Sequence, residues 1–313
     1  MDFLRQLKFN RLLIVSLIIA AMVVGSSCTQ QQQQEVEKID EPTIEVVTEN
    51  GETKSLNMEE YVAGVVAGEM KPNWSQNAYG AQAIIARTFA LKLLKDEGTN
   101  QISGEHEKAQ AYRPQNITDE IRQAVEKTRG EVVTHKGEYI KGWFHSSAAG
   151  QTTTAKVGLA YDKPEPEYIT SVESPDQHAP EDVKSWIVTL PQSAILNVLK
   201  EIKGVQASKV ENITIDDKDE TGRAIGLTIN YGNGSETIKA AKFRTSIGPD
   251  ELKSTLIESI EETDNGFIFK GSGYGHGVGM SQWGAYALAK EGQSPEDIIK
   301  HYFTNIEIIK KWN

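Results

Sequence analysis

The run "GSGYGHGVG", residues 271–279, places a glycine at every second position and constrains the fold more tightly than any other stretch of the chain. In an extended chain alternate side chains share a face. Gly271, Gly273, Gly275, Gly277 and Gly279 then leave one face bare, while Ser272, Tyr274, His276 and Val278 project from the other. A bare strand face invites close approach, either by another element of the protein or by a ligand. Nucleotide phosphate is disfavoured: no G-x-x-x-x-G-K-[ST] is present, and in this run His276, Val278, Met280 or Gln282 stands wherever a G-x-G-x-x-G frame needs its last glycine.

Charge and cysteine usage narrow the class. The 33 Lys and Arg against 44 Asp and Glu give a net charge of −11, and no basic run lies beyond the N-terminus, which disfavours a nucleic-acid partner. At that terminus Arg5, Lys8 and Arg11 precede the apolar run "LLIVSLIIAAMVV", the pattern of an export signal and short for a bilayer span. Cys28, the single cysteine, sits where a lipoprotein signal places its lipidated residue, although Gly25 stands where such signals usually carry leucine. Residues 1–28 are therefore expected to anchor the protein to the membrane through lipid on Cys28. An uncleaved membrane segment or an ordinary signal is the alternative. In each case the bulk of the chain works outside the cytoplasm, and one cysteine allows no internal disulfide.

The remainder reads as an α+β protein in several parts. Residues 29–42, "TQQQQQEVEKIDEP" with its flanks, form a polar linker. A first core part is expected over 43–182, a smaller inserted α+β subdomain over 183–260, and a second core part over 261–313. "TIEVVTENGETKSLN" predicts a hairpin turning at "ENGE". Asn57 is placed to cap a helix through "MEEYVAGVVAGEM", with Glu59 and Glu60 complementing its dipole. A second helix spans "NAYGAQAIIARTFALKLLKDEG", capped at Ser75 or Asn77 and stopped by Gly98.

Polar residues on the apolar faces of these helices are the candidates for chemistry. Val62, Val65 and Val66 share a helix face with Glu69. Desolvation of a carboxylate on such a face favours its protonated form, which glycoside cleavage requires for its leaving group; a frayed helix end reaching solvent is the plain alternative. On the second helix, Arg87 and Gln82 are both embedded among alanines and isoleucines, where each needs a partner. For Arg87 that partner is either a polar ligand or a carboxylate locking two helices together.

The blocks "VAGVVAGEM", "AQAIIARTFAL", "FHSSAAGQT" and "GSGYGHGVGMSQWGAYALAKEG" together resemble the SpoIID/LytB family of sporulation and cell-wall proteins, in the family's order from Tyr61 to Gly292. The resemblance implies a mixed helical and β core around a glycan groove. It also implies a peptidoglycan lytic transglycosylase that acts during engulfment in endospore formation on glycan strands stripped of stem peptides. By the same resemblance Glu69 is the catalytic acid and base, while Arg87, Gln82, His145, Ser146, Tyr274, His276 and Gln282 line the substrate path. The glycine ribbon would be a wall of that groove. The implied partners are the glycan strands themselves and the SpoIIP amidase/endopeptidase and SpoIIM membrane protein of engulfment. No cofactor is implied. The sequence departs from the family pattern at Gly80, where many members carry lysine, and "FHSSAAGQTTT" lacks the cysteines with which some relatives bind zinc.

A lytic transglycosylase needs one carboxyl group, since the sugar's own C6 hydroxyl is the nucleophile, and no second carboxylate is evident beside Glu69 in the sequence. Two alternatives come from other classes. In a serine amidase Ser281 and His276 would act, but Trp283 stands where the G-x-S-x-G elbow needs glycine, and no H-E-x-x-H supports a metal-dependent amidase. In a glycan-binding scaffold, which recruits or activates another hydrolase, Glu69 and Arg87 would be a structural pair.

Overall fold

The computed structural model describes residues 39–105, 109–232 and 234–313; the anchor expected over 1–28, with Cys28, and most of the 29–42 linker lie outside the described residues. Among the described residues no helix is long and apolar enough to cross a membrane. Residues 39–313 belong to one compact unit, of mixed α+β architecture with five small sheets and two hydrophobic cores.

The hairpin forms from β1 (Thr43–Val47) and β2 (Thr53–Asn57), with Gly51 in the left-handed region at the turn. Period-two burial of Ile44 and Val46 faces it onto the core, and β3 (Gln101–Ser103) adds in parallel beside β1. Helix α1 (Met58–Glu69) follows directly. Asn57 precedes it without a side-chain capping bond; its Oδ1 accepts from Thr43 Oγ1 across the hairpin instead. Small and β-branched residues let α1 be buried on nearly every side, against β1, β2 and helix α2 (Gln76–Glu97). Ser75 caps α2 by accepting from Ala78 N–H, and Gly98 ends it in the left-handed region. Around α2 pack α1, helix α3 (Asp119–Lys127) and β4 (Glu131–His135), which pairs with β5 (Glu138–Tyr139).

A second core gathers under β7 (Trp186–Pro191), helix α4 (Gln192–Lys203), β8 (Asn212–Lys218), β9 (Ala224–Tyr231), β10 (Gly234–Lys239), helix α5 (Ala240–Ile247), β11 (Ile257–Thr263) and β12 (Gly266–Gly271). It extends past the boundary expected at 260. Phe267 and Phe269 alternate inward on β12, and that strand is held between β11 and β7. The chain then returns to the first core. There β13 (Met280–Ser281) pairs in parallel with β6 (Phe144–His145), helices α6 (Gln282–Lys290) and α7 (Pro295–Tyr302) follow, and β14 (Glu307–Lys310) completes the sheet on β4.

The glycine ribbon is not an extended strand. Gly273, Gly275, Gly277 and Gly279 all have φ between +70° and +109°, a region closed to most side chains. Nor is its bare side open. A Cβ at Gly275 would lie 2.6 Å from His145 Cβ, one at Gly277 2.4 Å from Arg223 Nε, and one at Gly279 2.2 Å from Trp143 O. Of the two occupants that a bare face allows, the protein itself is the one present, so these glycines do not offer that side to a sugar chain as the resemblance implied.

Candidate active site

Glu69 sits at the C-terminal end of α1, half-buried. Two glycines deliver its partner. A Cβ on Gly64 would strike the Tyr112 ring at 2.1 Å, and one on Gly68 the Ala111 carbonyl at 2.2 Å, so the segment 110–113 can lie directly on the helix. Ala111 N–H is thereby placed 2.7 Å from Glu69 Oε1. Tyr61, stacked on Tyr112 and donating to Gln110 Oε1, stays a neutral phenol: burial, and then the nearby charge of Glu69, push its pKa up. The G-x-x-x-G spacing was the available signal for this close approach.

Arg87 lies elsewhere. It has no exposed surface, and it donates through Nε (3.0 Å) and Nη2 (2.5 Å) to the two carboxylate oxygens of Glu59 and through Nη1 to Glu131 O. Glu59 also accepts from Gly130 N–H and the Trp312 indole. Glu59 and Glu69 are separated by about 15 Å of helix at 1.5 Å per residue. The guanidinium is committed to the Glu59 end, so of the two partners expected for Arg87 the structure supplies the carboxylate, and the pair ties α1 to α2. Gln82 has no exposed surface either, and neither amide atom has a partner among the described residues. It lies inside α2 with no surface for a ligand to meet.

The remaining candidates converge. Parallel pairing of β6 with β13 sets His145 opposite Ser281, and Ser147 exchanges backbone hydrogen bonds with Tyr274. The His145 and His276 rings are 5.5 Å apart. Burial holds His145 well below the usual histidine range, followed by the charges of His276 and Arg223. Its Nδ1 meets Val278 O at 3.2 Å, which assigns the proton to that nitrogen and leaves Nε2 an acceptor. His276 Nδ1 accepts from Val278 N–H. Tyr274 donates to Asp250 at 2.5 Å, under the Lys253 ammonium, and burial together with that carboxylate pushes its pKa up to about 12. Ser146 is half-buried and its carbonyl accepts from Trp283 N–H; Gln282 opens α6 and is nearly buried.

Several organising residues carry no sequence signal. Asp176 accepts from the hydroxyls of Ser147, Ser174 and Ser281 and from Ala149 N–H, tying the "FHSSAAG" and "GMSQWG" blocks together. Arg223 is buried against Gly277 and donates to Ala148 O, with its pKa lowered to about 10 by burial. Ser281 itself is fully buried and accepts from Gly284 and Ala148 N–H. As a helix cap it is unavailable as a nucleophile, which removes the serine amidase. A cavity of about 550 Å³ lined by Gly150, Gln151, Glu173, Ser174 and His301 includes none of the candidate residues.

The fold and this arrangement define an α+β protein in which a half-buried helix-end glutamate and a histidine-bearing glycine ribbon are each set by close backbone approach at glycines. The family model for SpoIID, stage II sporulation protein, matches residues 48–135, and a model for a domain of unknown function matches 167–279. An uncharacterised protein of Brachyspira hyodysenteriae is 32% identical over 259 residues, 81% of this chain and 67% of the relative. Stage II sporulation protein D of Bacillus subtilis is 28% identical over 284 residues, covering 83% and 77%. The amidase enhancer of Bacillus subtilis is 27% identical over 282 residues, but the match spans only 39% of that protein. The chain belongs to the SpoIID family.

Proposed function

We propose that the protein is a peptidoglycan lytic transglycosylase that cleaves denuded glycan strands to anhydromuramoyl products during engulfment, with Glu69 as general acid and base. Family membership supports a sporulation-related role at the cell wall. The observation that carries the finer reading is Glu69 itself: it lies within the SpoIID match, half-buried, with Oε1 fixed by Ala111 N–H. In this mechanism the Glu69 carboxyl protonates the glycosidic oxygen as the C1–O bond breaks. The sugar's C6 hydroxyl then closes on C1, and the carboxylate takes its proton. Water is not consumed. Ser146, Tyr274, His276 and Gln282 are the proposed sugar contacts, with His145 behind them. Anchoring outside the cytoplasm through residues 1–28, and assembly with SpoIIP and SpoIIM, complete the proposal.

The test is turnover of purified denuded strands by the full-length protein, read as anhydro-ended products. Glu69→Gln should lower it by ~10²–10⁴, the range for losing a general acid or base, with folding unchanged. Equal turnover by the variant removes Glu69 from the reaction. A second reading, a glycan-binding activator of another hydrolase, draws on the relative named amidase enhancer. Strand binding by the wild type without anhydro-ended product would favour it.

A further inference from the structure

The geometry points to a glycan-stacking platform formed by Trp283 and Tyr286 on α6, beside the turn that leaves Glu69; this rests on the proposed action on glycan strands. Trp74 lies five residues after Glu69, in the turn joining α1 to α2. Tyr79 clamps that turn, accepting from Trp74 N–H and donating to Lys71 O. The Trp74 ring is nearly buried and serves as a floor: Trp283 packs on it at 4.7 Å and Tyr286 at 4.8 Å, and those two rings are 5.7 Å apart. Trp283 and Tyr286 are one helical turn apart and so share a face of α6, and both remain half-buried. By contrast, Trp186 and Trp312 are buried with their indole N–H groups donating inside the protein.

Position and charge select the occupant. Trp283 joins two of the four sequence blocks to the turn after a third, because its amide donates to Ser146 O in "FHSS" while its ring meets Trp74, four residues beyond "GEM". One cation stands at the rim on a chain of net charge −11: the Lys290 ammonium lies 5.5 Å over the Tyr286 ring, and the exposed His178 ring meets Tyr286 edge-on at 5.6 Å. Flat aromatic faces suit the C–H faces of sugars, and an ammonium beside them suits a carboxylate. A polysaccharide with carboxylates on alternate sugars, as a denuded strand carries on its lactyl groups, offers both. Tyr274 is the weaker stacking surface, since its hydroxyl is spent on Asp250 and its ring has no second aromatic beside it among the ring contacts of the described residues.

The experiment measures binding of denuded strands and of neutral chitohexaose to the full-length protein carrying Glu69→Gln, so that turnover does not interfere. Trp283→Ala should weaken both ligands by roughly 10-fold, as expected for a stacked aromatic; Tyr286→Leu, which keeps the apolar packing, should weaken both several-fold. Lys290→Gln should weaken the denuded strand alone. Unchanged strand affinity in folded Trp283→Ala or in Tyr286→Leu overturns the platform, and if the first variant does not fold the second decides. Displacement by free stem peptides and not by chitohexaose overturns it too. The two readings fail separately. Normal binding by the platform variants alongside lost turnover in Glu69→Gln sinks the platform only, whereas platform-dependent binding without cleavage by the wild type sinks the transglycosylase only.

Discussion

The first helix carries a glutamate near each end, and the fold treats the two in opposite ways. Glu59 is buried and receives two donors from Arg87, one from Gly130 and one from the Trp312 indole. Glu69 keeps part of its surface and is fixed on Oε1 by the Ala111 amide. A carboxylate saturated with donors inside a core is bound to the architecture, because moving it or its proton strands a buried guanidinium. One held at a half-exposed helix end by a backbone amide is oriented and still able to meet a substrate. The same residue type on one helix therefore divides into a scaffold role and the proposed chemical one according to what surrounds it.

The comparison breaks first at Glu69→Gln. Its turnover should fall by the ~10²–10⁴ given above, equivalent to about 3–5 kcal/mol in the barrier, while its denaturation midpoint stays with the wild type. Loss of stability without loss of specific turnover would reverse the roles of the two ends. Glu59→Ala should do the converse. It leaves Arg87 buried without its carboxylate and should destabilise the protein by ~3–5 kcal/mol, while Glu59→Leu combined with Arg87→Met should recover much of that. Chemical denaturation of the single and double variants decides; a silent Glu59→Ala would end its claim as a structural anchor.

Gly68→Ala sharpens the contrast without touching either carboxylate. Its methyl would meet the Ala111 carbonyl at 2.2 Å and push away the amide that holds Glu69. The expected cost is ~1–3 kcal/mol from overpacking, with a further roughly 10–100-fold in turnover from losing a hydrogen bond to a charged group. Stability and turnover measured on the same preparation separate the two. Gly64 cannot serve as the control, because its added methyl would enter the Tyr112 ring.

The smallest effect concerns pH. His145 has its pKa held well below 6.5 by burial, so its contribution to stability is full above that value and is lost as pH falls toward the folded pKa. Unfolding free energy should drop below pH ~6.5 by up to about 1.4 kcal/mol per pH unit from this group. His145→Gln should flatten that slope whatever it does to absolute stability. An unchanged slope would mean that His145 is not the buried neutral histidine described.

The local elements were legible in the sequence because their signals are local. "ENGE" marked the hairpin, and Ser75 and Gly98 the limits of the long helix. Glu69 stood out as a candidate through the block that contains it, and the need of Arg87 for a partner was legible. The identity of that partner was not. Glu59 reads in sequence as an ordinary first-turn acid, and its other donors come from Gly130 and from Trp312, 253 residues away.

The ribbon shows the same division. Alternating glycines determined that something must approach the backbone closely, and a positive φ at four of them explains why no other residue would serve. Which neighbour approaches is a property of chain segments far apart in sequence: His145, Trp143 and Arg223 fill the space that a sugar could have taken. The second core likewise ends at Phe269 because β12 pairs with β7, a register that composition does not encode. Sequence by itself determined the hairpin, the helices and the residue types able to do chemistry, since capping, periodicity and turn geometry act within a few residues. Tertiary structure alone decided which of those residues were spent on the core and which kept a surface, since burial and donor saturation depend on atoms brought together from distant parts of the chain.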